Sequence, residues 1–150
     1  MPLEELSARE SLRLLGAVPG GRVAFTARAL PAIRPVSHLV DGEDIIIRAD
    51  AGTAMWSGTA PGSVVAYQAD TIDHAGLLGW SVTVVGVARP VTDPDAAAAY
   101  RRALPAWPAG PQEQVIAIHA SLITGFRVVA PGPGGRPPSG PDNDGQVIPG

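Results

Sequence analysis

An Asp-Gly pair between two apolar runs is the feature that most constrains the fold of this chain. Asp41-Gly42 follows the segment from Ile33 to Val40 and precedes Ile45-Ile46-Ile47. Since such a pair readily adopts the positive φ angles of a tight turn, it predicts a β-hairpin. The run of three isoleucines has apolar side chains on both faces of its strand and must be covered on both sides. The chain therefore needs a closed or stacked sheet.

Further strand patterns at short spacing indicate a mainly β architecture. Pro31 and Pro35 lack the amide donor of a central ladder, so Pro35 is expected at an edge or a bulge, and Gly86 is expected at a sharp bend. The pattern predicts a mostly antiparallel barrel of six to seven strands with short flanking helices. Apart from the hairpin, its strands are expected at Arg22–Ala27, Ser63–Ala69, Trp80–Val91, Val115–Ile118 and Gly125–Val129, with a turn at Ser121–Thr124.

Two short helices are expected beside the barrel. Ser7 and Glu10 have the spacing of a capping box, and the helix that they open is expected to end at Gly16 with a positive φ angle. Asp93-Pro94 supplies a cap and a first-turn proline for a second helix, which continues from Ala96 to Leu104. Proline at position 105 prevents a longer helix.

Composition excludes several classes of function. The 150-residue chain has no cysteine, and all 11 basic residues are Arg. Disulfides, cysteine nucleophiles, Schiff-base chemistry and a P-loop lysine are therefore excluded. The net charge of −3 argues against a nucleic-acid partner. No apolar run approaches the ~20 residues that cross a bilayer, so a cytoplasmic protein without membrane contact is expected.

The chain is expected to form one domain over residues 1–130. Of the 20 residues from Pro131 to Gly150, 12 are Pro or Gly, and only two of the other eight, Val147 and Ile148, are apolar. A segment of that composition has little surface to bury and is predicted to be a flexible tail outside the fold.

Arg48 is the candidate anion-binding residue on physical grounds alone. It follows a buried strand and comes just before a loop of small residues that includes Gly52 and Thr53. A guanidinium can hold phosphate oxygens in a bidentate fork, and a glycine allows the backbone to approach them. The competing interpretation is a solvated charge at the end of a strand.

The histidines and carboxylates give weaker signals. His38, His74 and His119 have no metal-ligand spacing, so no metal site is expected. His38 is interpreted either as an acid or base beside a ligand or as a satisfied strand residue. Asp70 and Asp73 fall in a polar stretch and are interpreted as solvated loop charges rather than a catalytic pair.

Four pieces of the chain in order carry a family resemblance: residues 29–42, 45–55, 79–86 and 123–127. Together they resemble the pyridoxamine 5'-phosphate oxidase-like family of flavin-binding split barrels, over roughly Leu6 to Val129. The resemblance implies a homodimer with FMN bound between the subunits. It also implies an oxidoreductase that transfers a hydride between a small-molecule substrate and the flavin.

The resemblance also implies a phosphate site. Arg48, Gly52 and Thr53 fall where the family holds the ribityl phosphate of the flavin. Ala49 and Ala54 lie in the same segment but depart from better-known members, which often have Thr at the first position and a basic residue at the second. Each lost charge-assisted hydrogen bond costs about 1.5–3 kcal/mol. F420 or FAD is therefore an alternative cofactor.

A second group of residues matches the family positions near the isoalloxazine ring. Val36 and Ser37 correspond to the segment along the ring edge, with ordinary strand residues as the alternative. Trp80 and Ser81 match positions that reach the cofactor from the partner subunit or a neighbouring strand, although a Trp is also a common core residue. The alternative function is a non-catalytic flavin- or F420-binding module for storage, sensing or interaction.

Overall fold

The structure is a computed structural model that describes residues 3–49, 62–104 and 114–130, and eight strands and two helices make up this part of the chain. In chain order they are β1 (Leu3–Leu6), α1 (Ala8–Leu15), β2 (Gly20–Ala27), β3 (Leu30–Asp41), β4 (Asp44–Ala49), β5 (Val64–Asp70), β6 (Gly79–Pro90), α2 (Pro94–Ala103), β7 (Gln114–His119) and β8 (Leu122–Val128).

Six of these strands close an antiparallel barrel in the order β5-β2-β3-β4-β7-β6, with β6 pairing again with β5. Strand β8 pairs with the free part of β6, and β1 pairs with β8. This arrangement confirms the expected split antiparallel barrel with short flanking helices.

The β3–β4 hairpin forms at the predicted Asp-Gly pair. Gly42 has a φ of +64°, and Asp41 pairs with Asp44 across the turn. Ile45 and Ile47 point into the barrel core, whereas Ile46 points outward and packs under α2. The three-isoleucine strand is therefore covered on both faces, as the sequence requires.

Two long strands change partners partway along, which splits the barrel. Strand β3 pairs with β2 as far as Ser37 and with β4 from His38 onward, and Pro35 lies in the part that pairs with β2. Strand β6 pairs with β8 as far as Val85 and with β7 from Ala88. Gly86 lies at this fork, where a Cβ atom would overlap the carbonyl oxygen of His119.

The main core fills the inside of the barrel. Strand alternation sends apolar side chains inward, and α1 closes one end with Leu14 and Leu15. Helix α2 packs instead on the outside of β4 and β7, where Ala97 and Leu104 contact Ile46 and Val115. The residues that point inward from the strands include Val23, Phe25, Val65, Tyr67, Val82, Val84, Ile116 and Ile118.

Both helices begin where the sequence predicts. The Ser7 hydroxyl accepts a hydrogen bond from the Glu10 amide at 3.1 Å, and Asp93 accepts one from the Ala96 amide at 2.9 Å. The capping box is only half formed, because the Glu10 carboxylate binds Arg13 instead. Gly16 has a φ of −69°, so the expected positive angle at this helix end is wrong.

The other boundary errors lie near the termini. Leu122–Thr124 belongs to β8 rather than to a turn, so the connection from β7 is only two residues long. Strand β1 has no clear alternation and exists because it pairs with β8. Neither helix in the described ranges is long enough to cross a membrane. The predicted tail, residues 131–150, lies outside the described residues.

Candidate functional site

A groove on the outside of the barrel carries the candidate site. We call the face of the sheet that points away from the barrel core the outer face. The groove has a volume of about 610 Å³, and we call it the outer groove. It is lined by Val18, Pro19, Gly20, Gly21, Arg22, Pro35, Ser37 and Asp70. Backbone and proline rings thus form most of its floor, and the charged side chains are an Arg and an Asp.

The floor is fixed by pairing between β2 and β3. Gly20 lies opposite Ser37, and Arg22 lies opposite Pro35. The ladder continues past the end of β2, because the His38 amide donates to the Pro19 carbonyl oxygen at 2.9 Å. Paired residues point to the same face of a sheet, so Ser37 and Arg22 both belong to the outer face.

Val36 and Ser37 therefore point in opposite directions. Val36 is 4% exposed and packs in the barrel core, whereas Ser37 is 2% exposed and lines the outer groove. The structure thus brings the Ser37 side chain to the groove, and it leaves Val36 only its backbone to offer a ligand.

A hydrogen-bonded network lies beside the groove. Arg22 Nη1 donates to Gln68 Oε1 at 3.3 Å and lies 3.8 Å from Asp70 Oδ2. Gln68 Nε2 donates to Asp70 Oδ2 at 2.9 Å and to Ser81 Oγ at 3.1 Å. We call Arg22, Gln68, Asp70 and Ser81 the polar network. It crosses β2, β5 and β6 on the outer face.

Trp80 and Ser81 separate in the same way as Val36 and Ser37. Trp80 points inward and packs in the main core at 8% exposure. Ser81 points to the outer face and belongs to the polar network. Within this chain, the Trp80 side chain is therefore a core residue. Its predicted contact with the cofactor stays a prediction.

Arg48 lies on the outer face of β4, next to the second helix. Its Nη1 donates to the carbonyl oxygens of Leu104 at 2.8 Å and Arg101 at 3.3 Å. These carbonyls lie at the C-terminal end of α2, where a cation is favoured by the helix dipole. Arg48 therefore ties the end of α2 to β4. Its predicted phosphate contact stays a prediction.

The remaining predicted site residues have less structural support. Ala49 ends β4 opposite Gln114, and only its backbone is described. Gly52, Thr53 and Ala54 lie outside the described residues, so the predicted phosphate loop stays a prediction.

His38 is a satisfied core histidine. Its Nε2 lies 2.8 Å from the Leu15 carbonyl oxygen, which can only accept, so Nε2 carries the proton. Nδ1 is then the acceptor for the Tyr67 hydroxyl. Burial lowers the pKa of His38, although the bond to Leu15 opposes this shift, and burial raises the pKa of Tyr67. The pair is thus neutral at physiological pH and does not reach the groove.

Arg22, Gln68 and Asp70 are the site residues that sequence reasoning missed. Asp70 ends β5 with its side chain 31% exposed and bonded to Gln68, so its interpretation as a solvated loop charge is wrong. Alternation along β2 already places Arg22 on the face away from the apolar Val23, and alternation along β5 places Gln68 on the face away from Tyr67. The sequence does not show the pairing of these two strands, which brings Arg22 next to Gln68, 46 positions further along the chain.

No group of three or more potential metal ligands occurs within the described ranges. His119 Nδ1 instead lies 3.1 Å from Asp44 Oδ1 on the surface.

Several known proteins are similar to this chain in sequence and in structure. A family model described as pyridoxamine 5'-phosphate oxidase matches residues 7–127. An uncharacterized protein of Mycobacterium tuberculosis is 45% identical over 130 residues, which are 84% of this chain and 86% of that protein. The FAD binding protein from Mycobacterium smegmatis is 32% identical with a TM-score of 0.66, covering 83% of this chain and 99% of its own. A candidate pyridoxamine 5'-phosphate oxidase from Corynebacterium glutamicum is 29% identical with a TM-score of 0.69, covering 85% and 98%.

Proposed function

We propose a function from one premise: the chain belongs to the pyridoxamine 5'-phosphate oxidase family. The proposed function is that of a flavin-binding oxidoreductase whose cofactor lies against the outer groove. The observation that carries this proposal is the groove itself, which glycines and prolines line together with Arg22 and Asp70. Its volume falls in the range of about 300–1,000 Å³ that is typical of small-molecule sites.

The residues of the groove fit a flavin. Gly20, Gly21 and Pro35 line the groove without long side chains, which leaves room for a ring system. The Ser37 hydroxyl and the backbone of the same segment supply polar groups at the groove wall. A flavin bound there would supply hydride transfer with a small-molecule substrate, while the protein orients the ring and the substrate.

FMN is the proposed form of the flavin, with FAD and F420 as alternatives. The relative from Mycobacterium smegmatis, which is described as an FAD binding protein, supports a flavin in general and makes FAD a serious alternative. Absorption spectra of the freshly purified protein test the proposal, before and after separate addition of FMN, FAD and F420 and removal of unbound cofactor. Retention of one chromophore is expected. Failure to retain any of the three contradicts the proposal.

Arg48 is proposed to hold the flavin phosphate. Arg48→Ala is expected to weaken flavin binding at least ~10-fold, because a charge-assisted hydrogen bond is worth more than the ~1.4 kcal/mol that this factor represents. The affinity is measured by titration of flavin fluorescence. An unchanged affinity removes Arg48 from the site.

The control for Arg48 is a variant that loosens α2 without removing a charge. Tyr100→Phe serves this purpose, since the Tyr100 hydroxyl donates to Asp41 Oδ2 at 2.6 Å and ties α2 to the β3–β4 hairpin. If this variant loses as much flavin affinity as Arg48→Ala, the position of α2 explains both results and not a phosphate contact.

A homodimer with the cofactor at its interface is proposed together with the flavin. An apolar row crosses the outer face directly beside the polar network. It consists of Ile33, Ala24, Ala66, Val85 and Leu122, each paired with the next across neighbouring strands. Ile33 is 63% exposed and Leu122 is 66% exposed. Because the row continues into the candidate site, a second copy seated on it would also complete the groove.

Light scattering coupled to size exclusion tests the dimer. The wild type is expected at twice the chain mass, and Ile33→Glu is expected to yield monomer because it places a charge in the apolar row. Leu30→Glu is the matched control, since Leu30 is 67% exposed but belongs to the opposite alternation of β3. A monomeric wild type, or a dimer that survives Ile33→Glu, contradicts this part of the proposal.

A non-catalytic flavin-binding module is the second candidate. It is favoured by the position of His38, whose ring points into the core, which leaves Arg22 and Asp70 as the ionisable groups among the described groove residues. Hydride transfer needs no dedicated acid, so this observation is compatible with both functions. Anaerobic mixing of the flavin-loaded protein with NADH or NADPH separates them. Rapid bleaching of the flavin absorbance favours the oxidoreductase, and an unchanged spectrum favours the non-catalytic module.

A further inference from the structure

We infer that Arg22 is an oxyanion-binding residue and that the outer groove accepts a ligand carrying a phosphate or a carboxylate group. The inference deepens the proposed function and rests on it, because Arg22 and Ser37 line the same groove. It concerns a charge on β2, away from the phosphate contact proposed for Arg48 on β4.

The contacts of Arg22 leave most of its donors available to a ligand. A guanidinium has five N–H donors in a planar fork. Arg22 uses Nη1 for a bond of 3.3 Å to Gln68 Oε1, and its distance of 3.8 Å to Asp70 Oδ2 is too long for a hydrogen bond. The Arg22 side chain is 58% exposed and lines the groove. A bidentate oxyanion can therefore reach it.

The polar network holds Arg22 in this position before a ligand arrives. Gln68 Nε2 donates to both Asp70 and Ser81, which orients the amide so that its oxygen points toward Arg22. A side chain that is already held loses less conformational entropy on binding. Surface arginines without such partners do not have this advantage.

Asp70 adjusts the strength of the site. It is the only carboxylate among the groove residues that the structure describes, and it partly neutralises Arg22 at 3.8 Å. An incoming oxyanion competes with this carboxylate for the guanidinium. Removing the Asp70 charge should therefore strengthen oxyanion binding, whereas removing Arg22 should abolish the preference for it.

The rest of the groove indicates the body of the ligand. The other lining residues are apolar or glycine: Val18, Pro19, Gly20, Gly21 and Pro35. The ligand is therefore a largely apolar molecule that carries an oxyanion. Two sources share this chemistry. One is the phosphate of the flavin itself, in which case Arg22 would take the role proposed above for Arg48, and the other is an acidic group on the substrate.

Matched ligand pairs distinguish the two sources. FMN and riboflavin differ in the phosphate, and their Kd ratio is measured by flavin fluorescence. Benzoate and benzamide differ in the carboxylate charge on one flat ring, and their Kd ratio is measured by calorimetry on both the flavin-loaded and flavin-free protein. The proteins are the wild type, Arg22→Ala, Asp70→Asn and the control Arg34→Ala. Arg34 is an exposed arginine on the adjacent strand that is not among the groove residues.

Arg22→Ala is expected to reduce one of the two preferences ~10-fold, the cost of about one charge-assisted bond. Asp70→Asn is expected to increase the same preference several-fold, and Arg34→Ala is expected to leave it unchanged. Loss of the FMN preference identifies the flavin phosphate, and loss of the benzoate preference identifies a substrate acid group.

The inference is overturned if Arg22→Ala leaves both preferences unchanged, or if Arg34→Ala reduces them equally, which would indicate only long-range charge. It is also overturned if the wild type prefers neither oxyanion. A wild type that retains no flavin but prefers benzoate through Arg22 contradicts the flavin proposal while supporting the oxyanion site, so the two failures are distinguishable.

Discussion

Tyr67 and Gln68 are neighbours in β5, yet they belong to two regions of the molecule with different chemistry. Tyr67 points inward, is fully buried and shares one hydrogen bond with His38. Gln68 points outward and connects Arg22, Asp70 and Ser81 at the edge of a groove. A single alternation therefore provides both the buried core of the barrel and its proposed binding surface. Changes on the inner side should therefore cost stability, and changes on the outer face should cost binding.

The largest effect is expected where the inner side has no spare room. Gly86→Ala would place a Cβ atom against the carbonyl oxygen of His119 at the fork of β6. The Cβ atom is fixed to the backbone of β6, and the atom that it meets belongs to the backbone of His119. Neither can move without opening the barrel, so a loss of about 4 kcal/mol or more in the free energy of unfolding is expected. Chemical denaturation followed by circular dichroism measures it.

Gly16→Ala is the matched control for this substitution. An added Cβ there would meet its nearest neighbour at 3.5 Å, and the backbone already has a φ of −69°. Its unfolding free energy should stay within about 1 kcal/mol of the wild type. Equal losses in the two variants would mean that the fork at Gly86 has no special constraint.

The second effect tests the hydrogen bond between Tyr67 and His38 in the core. Tyr67→Phe removes the donor to His38 Nδ1 and leaves that buried acceptor without its partner. A loss of about 1–3 kcal/mol in unfolding free energy is expected, with little change in flavin affinity. Denaturant titration and flavin titration on the same sample check both statements. A variant as stable as the wild type would show that this bond does not contribute.

The third effect is the pH dependence that comes from His38. The folded-state pKa of His38 lies below the ordinary histidine value of about 6.5 because burial disfavours the imidazolium. As the pH falls below 6.5, the unfolded chain binds the proton first, so stability declines until the pH passes the lower folded-state pKa.

The slope from this one group is at most about 1.4 kcal/mol per pH unit. Unfolding free energies of the wild type and His38→Gln between pH 7.5 and pH 5 test it. The wild type is expected to lose more stability over this range than the variant. Parallel curves would assign the acid sensitivity to other groups.

The smallest effect on stability is expected on the outer face. Arg22→Ala removes an exposed ion pair at 3.8 Å and one long hydrogen bond, so its unfolding free energy should change by less than about 1 kcal/mol. Denaturation of this variant beside the binding assays checks it. A loss as large as that of Tyr67→Phe would mean that the polar network is structural rather than poised for a ligand.

The sequence predicts the inner side of the barrel better than the outer face. The Asp41-Gly42 turn, the buried isoleucine strand and the faces of β6 follow from local rules of turn chemistry and alternation. The polar network does not, because Arg22, Gln68 and Ser81 meet only when β2, β5 and β6 pair in one register. The family resemblance predicts Ser37 and Ser81 as site residues, which the structure places on the outer face. Asp70 becomes a candidate only once the end of β5 is known.

Arg48 shows the same limit from the other side. Its position before a small-residue loop predicts an anion contact, and the structure adds two bonds to the end of α2 that no local pattern contains. Helix ends and strands that lie far apart in sequence become neighbours only in the folded chain. A residue at such a junction can serve the fold, the ligand or both.

One pair of variants tests whether the outer face binds the flavin while the inner side stabilises the barrel. Pro35→Trp fills the outer groove from its floor, and Val23→Ala, on the adjacent strand, removes two carbons from the core where Val23 is 1% exposed. Flavin Kd and unfolding free energy are measured for both and for the wild type. Pro35→Trp should weaken flavin binding at least ~10-fold with little loss of stability. Val23→Ala should lose about 2 kcal/mol of stability while its Kd stays close to that of the wild type. Flavin binding that is unchanged in Pro35→Trp would contradict the account.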